Sequence, residues 1–195
     1  MSLNNAGNTS WEGRIDPLLD DGSLDDLKTQ ITLQPRETQK LVLTGGADAI
    51  TTGLVIRGAA GSSTSDLSVA YFYNYFEAGV LKDSTGVPGG VASTRFTFPV
   101  ERSELINTGL AIRRLAIQTD SPITLTLYNA DGTMFDQVPA SSDFAQFFDE
   151  LFTDVPTDFR GSLVAESADE FYLVVLRLER TPDGFQLTSI PARAD

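Results

Sequence analysis

Histidine and cysteine are both missing from this 195-residue chain. Without histidine there is no Ser-His-Asp triad, no imidazole acid–base pair and no histidine-ligated zinc. Without cysteine there is no thiol nucleophile, zinc finger or iron–sulfur ligation. The lack of cysteine leaves the compartment open, because cytosolic proteins and many exported bacterial proteins both do without disulfides. Apolar runs are short, and none approaches the ~18 residues needed to cross a bilayer. Basic residues are few: 14 Lys and Arg stand against 27 Asp and Glu, a net charge of −13. A polyanion repels phosphate backbones and anionic headgroups, which argues against nucleic acid as a partner and against membrane insertion. No nucleophile elbow, Walker loop or dinucleotide fingerprint occurs. Gly58 to Gly61 lacks the lysine and helix that phosphate binding needs, and Gly86-Val-Pro-Gly-Gly90 reads as a loop.

What is present is β-strand patterning. Hydrophobic residues make up 41% of the chain, enough for one sizeable core. Thr52-Gly-Leu-Val-Ile-Arg57 returns as Thr108-Gly-Leu-Ala-Ile-Arg113, and the apolar run Leu67 to Phe72 aligns with Ile123 to Tyr128. Such short copies cannot bury their apolar faces alone, so an internal repeat predicts that they share one composite core. A third, weaker echo starts at Gly161. Period-two segments at Ile31–Leu33, Leu41–Leu43, Leu54–Arg57, Leu67–Phe76, Phe96–Phe98, Leu110–Ile112, Ile123–Tyr128, Leu163–Ala165, Phe171–Leu178 and Phe185–Ile190 read as strands. Asn129-Ala-Asp-Gly132 and Pro182-Asp-Gly184 supply the positive φ that tight hairpin turns require. One stretch departs from the pattern. Phe144, Phe147, Phe148 and Leu151 fall at helical spacing within Ser142 to Phe152, predicting a short amphipathic helix. Residues 1–22, rich in Asn, Gly, Ser and Asp around the lone Trp11, read as a flexible acidic arm, with a single domain over 23–195. The predicted fold is an all-β antiparallel β-sandwich of about nine or ten strands plus that helix.

The order of Phe98-Pro-Val100, Asn107-Thr-Gly-Leu-Ala-Ile112, Thr124 to Gly132, Phe147 to Phe152, Arg160-Gly-Ser-Leu163 and Ser189-Ile-Pro191 resembles an uncharacterised repeat-type β-sandwich module. That module occurs, often in tandem, in large exported or surface proteins of environmental bacteria. The resemblance covers roughly Ile31 to Pro191. It implies an extracellular or cell-surface location and an accessory role, and it brings no site residues with it. Met1 to Gly7 itself has neither the basic start nor the apolar stretch of a signal peptide.

The residues offer three chemistries. Val69 to Phe76 places Tyr71, Tyr73 and Tyr75 on one strand face about 7 Å apart, a platform for a glycan or a protein partner. Phe72 and Phe76 should then point into the core. Asp20, Asp21 and Asp25 form an oxygen-rich cluster suited to calcium, and Asn129 with Asp131 forms a second. Neither has the spacing of an EF-hand loop. The abundant carboxylates also leave open a carboxylate-dependent glycoside hydrolase, since that pair is defined by distance in space. The leading reading is a non-catalytic structural or interaction module that self-associates or binds a protein partner. The alternative is a carbohydrate-binding module using the aromatic face, and the hydrolase comes third.

Overall fold

The computed structural model describes residues 1–18, 29–41, 53–63, 66–77, 80–114, 121–140, 144–182 and 184–195. Among the described residues the chain is almost entirely strand, with one short helix. No helix there is long and apolar enough to cross a membrane. The chain divides into two compact units, Met1–Phe72 and Tyr73–Asp195.

In the first unit, β1 (Ser2–Asn5) lies antiparallel between β4 (Thr38–Lys40) and β6 (Leu67–Glu77), with Leu3 opposite Gln39 and Val69. A second sheet places β2 (Trp11–Leu18) between β3 (Thr29–Leu33) and β5 (Gly53–Gly58). Alternation along β2 sends Trp11, Gly13 and Ile15 inward. They meet Leu3, Ile31 and Leu33, with Ile56, Leu67 and Val69 packed against them, so the cluster draws on both sheets. Gly13 is required beneath the indole. A Cβ there would sit 2.3 Å from the Trp11 ring and 2.3 Å from the Arg57 carbonyl oxygen.

Residues 1–18 are therefore strands rather than the flexible arm their composition suggested. Trp11 is 2% exposed and Leu3 fully buried. The buried Asn5 explains how so polar a segment folds. Its amide donates to the carbonyls of Thr9 at 2.8 Å, Gln34 at 3.1 Å and Leu33 at 3.3 Å, and its Oδ1 accepts from Gly7 N at 3.0 Å. A buried amide whose hydrogen bonds are met costs little.

The second unit is organised by β13 (Arg160–Thr181). Its first part, Arg160 to Glu166, runs between β8 (Ser93–Glu101) and β10 (Ile123–Asn129), and β11 (Met134–Ala140) and β15 (Arg193–Ala194) extend that sheet outward. Beyond a register shift between Glu166 and Phe171, the strand pairs instead with β9 (Ile106–Arg114) and β14 (Gly184–Ile190). A strand that changes partners at an irregularity lets one chain serve two faces of a core. The sequence predicted two separate strands here. The polar Glu166-Ser-Ala-Asp-Glu170 that suggested a gap is the bend itself. Leu163 and Ala165 from one part and Phe171, Leu173 and Val175 from the other enter the same buried cluster, beside Phe96, Phe98, Leu125 and Leu127. β7 (Val80–Pro88) lies against β14, where Asp83 Oδ2 accepts from Leu187 N.

The predicted amphipathic segment is half strand and half helix among its described residues, with 142 and 143 outside them. Phe144–Phe147 forms β12, paired with β9, and only Phe148–Leu151 closes one helical turn, α1. Glu150 reaches back to accept from Phe147 N at 2.7 Å. Pairing to β9 outweighs helical periodicity because it satisfies backbone groups of both strands. Phe148 is fully buried as expected, Phe144 and Leu151 are only partly so, and Phe147 is 38% exposed. The expected turn at Asn129–Gly132 is present, with φ of 84° at Gly132; Asp183 of the second lies outside the described residues, and Gly184 beside it has φ of 135°.

The two repeat copies lie in different units, so they do not share one core. The first contributes β5 and β6, which sit in different sheets, and the second contributes β9 and β10, which both pair with β13.

Candidate functional site

The aromatic strand is β6. Tyr71 is partly buried and Phe72 is 50% exposed, which reverses the expected inward position of Phe72. Tyr71 falls in the first unit, and Tyr73 and Tyr75 in the second. The side chains of Tyr73, Tyr75 and Phe76 lie outside the described residues, as do Asp20, Asp21 and Asp25 of the first calcium cluster.

The second oxygen cluster is a turn. Asp131 Oδ1 accepts from Thr133 Oγ1 at 2.6 Å and from Thr133 N at 2.9 Å, and Asn129 Nδ2 donates to Thr133 Oγ1 at 3.0 Å. The Thr133 hydroxyl first, then its backbone N–H, hold the Asp131 carboxyl below its ordinary pKa. Those bonds tie both residues to Thr133 and close the β10–β11 hairpin. Among the described residues no group of three or more acidic side chains is arranged to hold a metal.

Beside the irregularity in β13 the surface is shallowly hollowed. Ser121, Pro122, Thr124, Gln137, Glu166, Ser167 and Ala168 line an open cavity of about 480 Å³. The polar bend residues supply Glu166 and Ser167, and β10 and β11 supply Thr124 and Gln137. Gln137 Nε2 donates to Thr126 Oγ1 at 2.8 Å, which fixes the amide at the rim. Glu166 is the carboxylate in this lining, and it is paired with Arg95, whose Nε also meets Asp195 Oδ2 at 3.2 Å. Hydroxyl, amide and carboxylate groups thus surround a shallow, open space. The sequence signal was the charged interruption between two apolar stretches, Leu163–Ala165 and Phe171–Leu178.

A second feature lies on the outer face of β2. Asp16 is fully buried, and its Oδ2 takes Nε of Arg14 at 2.9 Å and Nε of Arg57 at 3.5 Å. Arg14 and Arg57 are directly opposite each other across β2 and β5. Arg-x-Asp on a strand places both side chains on one face, a signal hidden by the reading of this segment as an arm.

No protein-family model matches the chain, and neither the curated proteins nor the solved structures include a significant match.

Proposed function

We propose that this protein is a non-catalytic structural or interaction module acting outside the cell, with each unit's core closed between two β layers as in a sandwich. The observation that carries this reading is β12. It is a strand that pairs with β9 alone among the described residues, and it carries the exposed Phe147. An unpaired strand edge beside an apolar ring is a template for another strand, and a second copy of the chain is the simplest partner. The test is analytical ultracentrifugation over a wide concentration range. Self-association should weaken in Phe147→Glu, because a charge at the edge opposes strand addition. A wild-type chain that stays monomeric throughout would overturn self-association through this edge.

A carbohydrate-binding module is the second reading, favoured by the polar groove at the β13 bend together with the tyrosine strand. Glycan-array binding should then fall in Gln137→Ala or in the Tyr73→Ala/Tyr75→Ala double variant. Unchanged binding in both, or none in the wild type, removes this reading.

A further inference from the structure

A buried carboxylate is costly unless it is paired and hydrogen-bonded. Asp16 is only half provided for: Oδ2 meets two guanidinium groups, while the buried Oδ1 has no donor. Its two partners face each other directly across antiparallel strands, a placement that is unfavourable for like charges. One carboxylate therefore holds two cations side by side, on a chain whose net charge is −13. Both arginines reach Asp16 through Nε. Both side chains also reach solvent, Arg14 at 36% and Arg57 at 51% exposure. Gln30, opposite Arg14 on β3, adds an exposed amide, and Glu12 is the acidic neighbour along the same face of β2.

We propose that Arg14 and Arg57 form an oxyanion-binding site, held in place from beneath by Asp16. An arginine whose Nε already donates to the buried Asp16, as that of Arg14 does at 2.9 Å, loses little freedom when its outer nitrogens grip a sulfate or a carboxylate, and Arg57 lies directly opposite to share the ligand. The ligand class is an acidic group of that kind. Bound there, it adds negative charge beside two guanidinium groups that share one carboxylate.

The test is titration of the 15N-labelled chain with sodium sulfate, and separately with sodium acetate, at constant ionic strength set by chloride. The Nε–Hε signals of Arg14 and Arg57 should shift saturably, while that of Arg193, 82% exposed, should not. The two salts show whether the site prefers a tetrahedral or a planar anion. Arg57→Gln alters an exposed side chain and should weaken binding roughly tenfold or more. Asp16→Asn separates a built site from simple attraction. It makes the face more positive, so attraction alone predicts tighter binding, whereas loss of the anchor predicts weaker binding. Trp11 fluorescence reports whether that variant stays folded; if it does not, Arg57→Gln decides. Shifts that fail to saturate with either anion, binding unchanged in Arg57→Gln, or tighter binding in folded Asp16→Asn would overturn the site.

Discussion

Thr52–Arg57 and Thr108–Arg113 differ at one residue, Val55 against Ala111, yet the structure gives them different neighbours. The shared part is the phase. Ile56 packs against the core of the first unit and Ile112 is buried in the second. Leu67 and Val69 point inward where Ile123 and Leu125 do. The partners are what differ. β5 joins the sheet of β2, with Arg57 at the surface beside Asp16, whereas β9 lies between β12 and β13. Thr108 is fully buried there, and its hydroxyl both donates to Glu101 O and accepts from Glu101 N at 3.0 Å. A short sequence thus dictates extended backbone and which face is apolar. Which strand lies alongside is decided by residues far away in the chain.

The largest expected effect separates the two units. Phe148→Ala empties a fully buried site in the second unit and should cost about 3–5 kcal/mol. Trp11, the only tryptophan, lies in the core of the first unit. Urea unfolding followed by far-UV circular dichroism should show the loss, while the tryptophan fluorescence midpoint stays in place. Equal shifts in both signals would make the units one cooperative body and dissolve the comparison.

A middle-sized effect compares two glycines, one beneath each repeat. Gly13 pairs with Gly58 at the end of the first copy, and an added Cβ would meet the Arg57 carbonyl oxygen at 2.3 Å. Gly13→Ala should therefore lose ~1–3 kcal/mol, because neither backbone nor indole can give way freely. Gly109 lies within the second copy, and a Cβ there would touch only the Phe147 ring at 3.6 Å and the Leu176 carbonyl oxygen at 3.9 Å. Gly109→Ala should gain ~0.4–1 kcal/mol by restricting the unfolded chain. Thermal unfolding of both variants checks the pair; equal losses would show the second copy to be packed as tightly as the first.

The smallest effect falls where the copies diverge. The second turns back at Asn129–Gly132, and the first runs on as strand through Tyr73 to Phe76. Asp131 secures that turn, and its carboxyl pKa lies below the ordinary 3.8. A depressed folded-state pKa means the ionised form stabilises the fold. That contribution is present above pH 3.8 and disappears as pH falls through the lower folded-state value. Carbon-detected NMR titration should find Asp131 ionising below the exposed aspartates, and Asp131→Asn should flatten the acid limb of the stability curve slightly. An ordinary titration would remove the turn's pH dependence.

Much of the strand pattern was legible, because period-two alternation shows wherever one face is apolar. The segments at Leu67, Ile123, Phe171 and Phe185 begin within a residue of their expected limits or continue a longer strand. Three parts were not. Asn5 lies in the core as an amide, and composition cannot separate such a residue from a loop. Phe144 and Phe147 fit helical spacing and strand spacing alike in so short a stretch, and the choice was made by β9. The hollow at Glu166 and the approach of Arg57 to Arg14 and Asp16 depend on strand pairings between residues far apart in the chain.

The 22 residues of β13 also set a timetable. Ribosomes deliver β8, β9 and β10 before it, and each of these pairs with β13. Until Arg160 and its successors emerge, the partners on either side of the seam have nothing to pair with across it. A nascent chain stalled before that point carries Phe96, Phe98, Leu110 and Leu125 with their covering strand unmade. Non-local pairing of this kind slows folding and leaves apolar strands open to other chains while they wait. The second unit therefore cannot close until that single segment has emerged, and its apolar strands stay open to other chains for as long as the wait lasts.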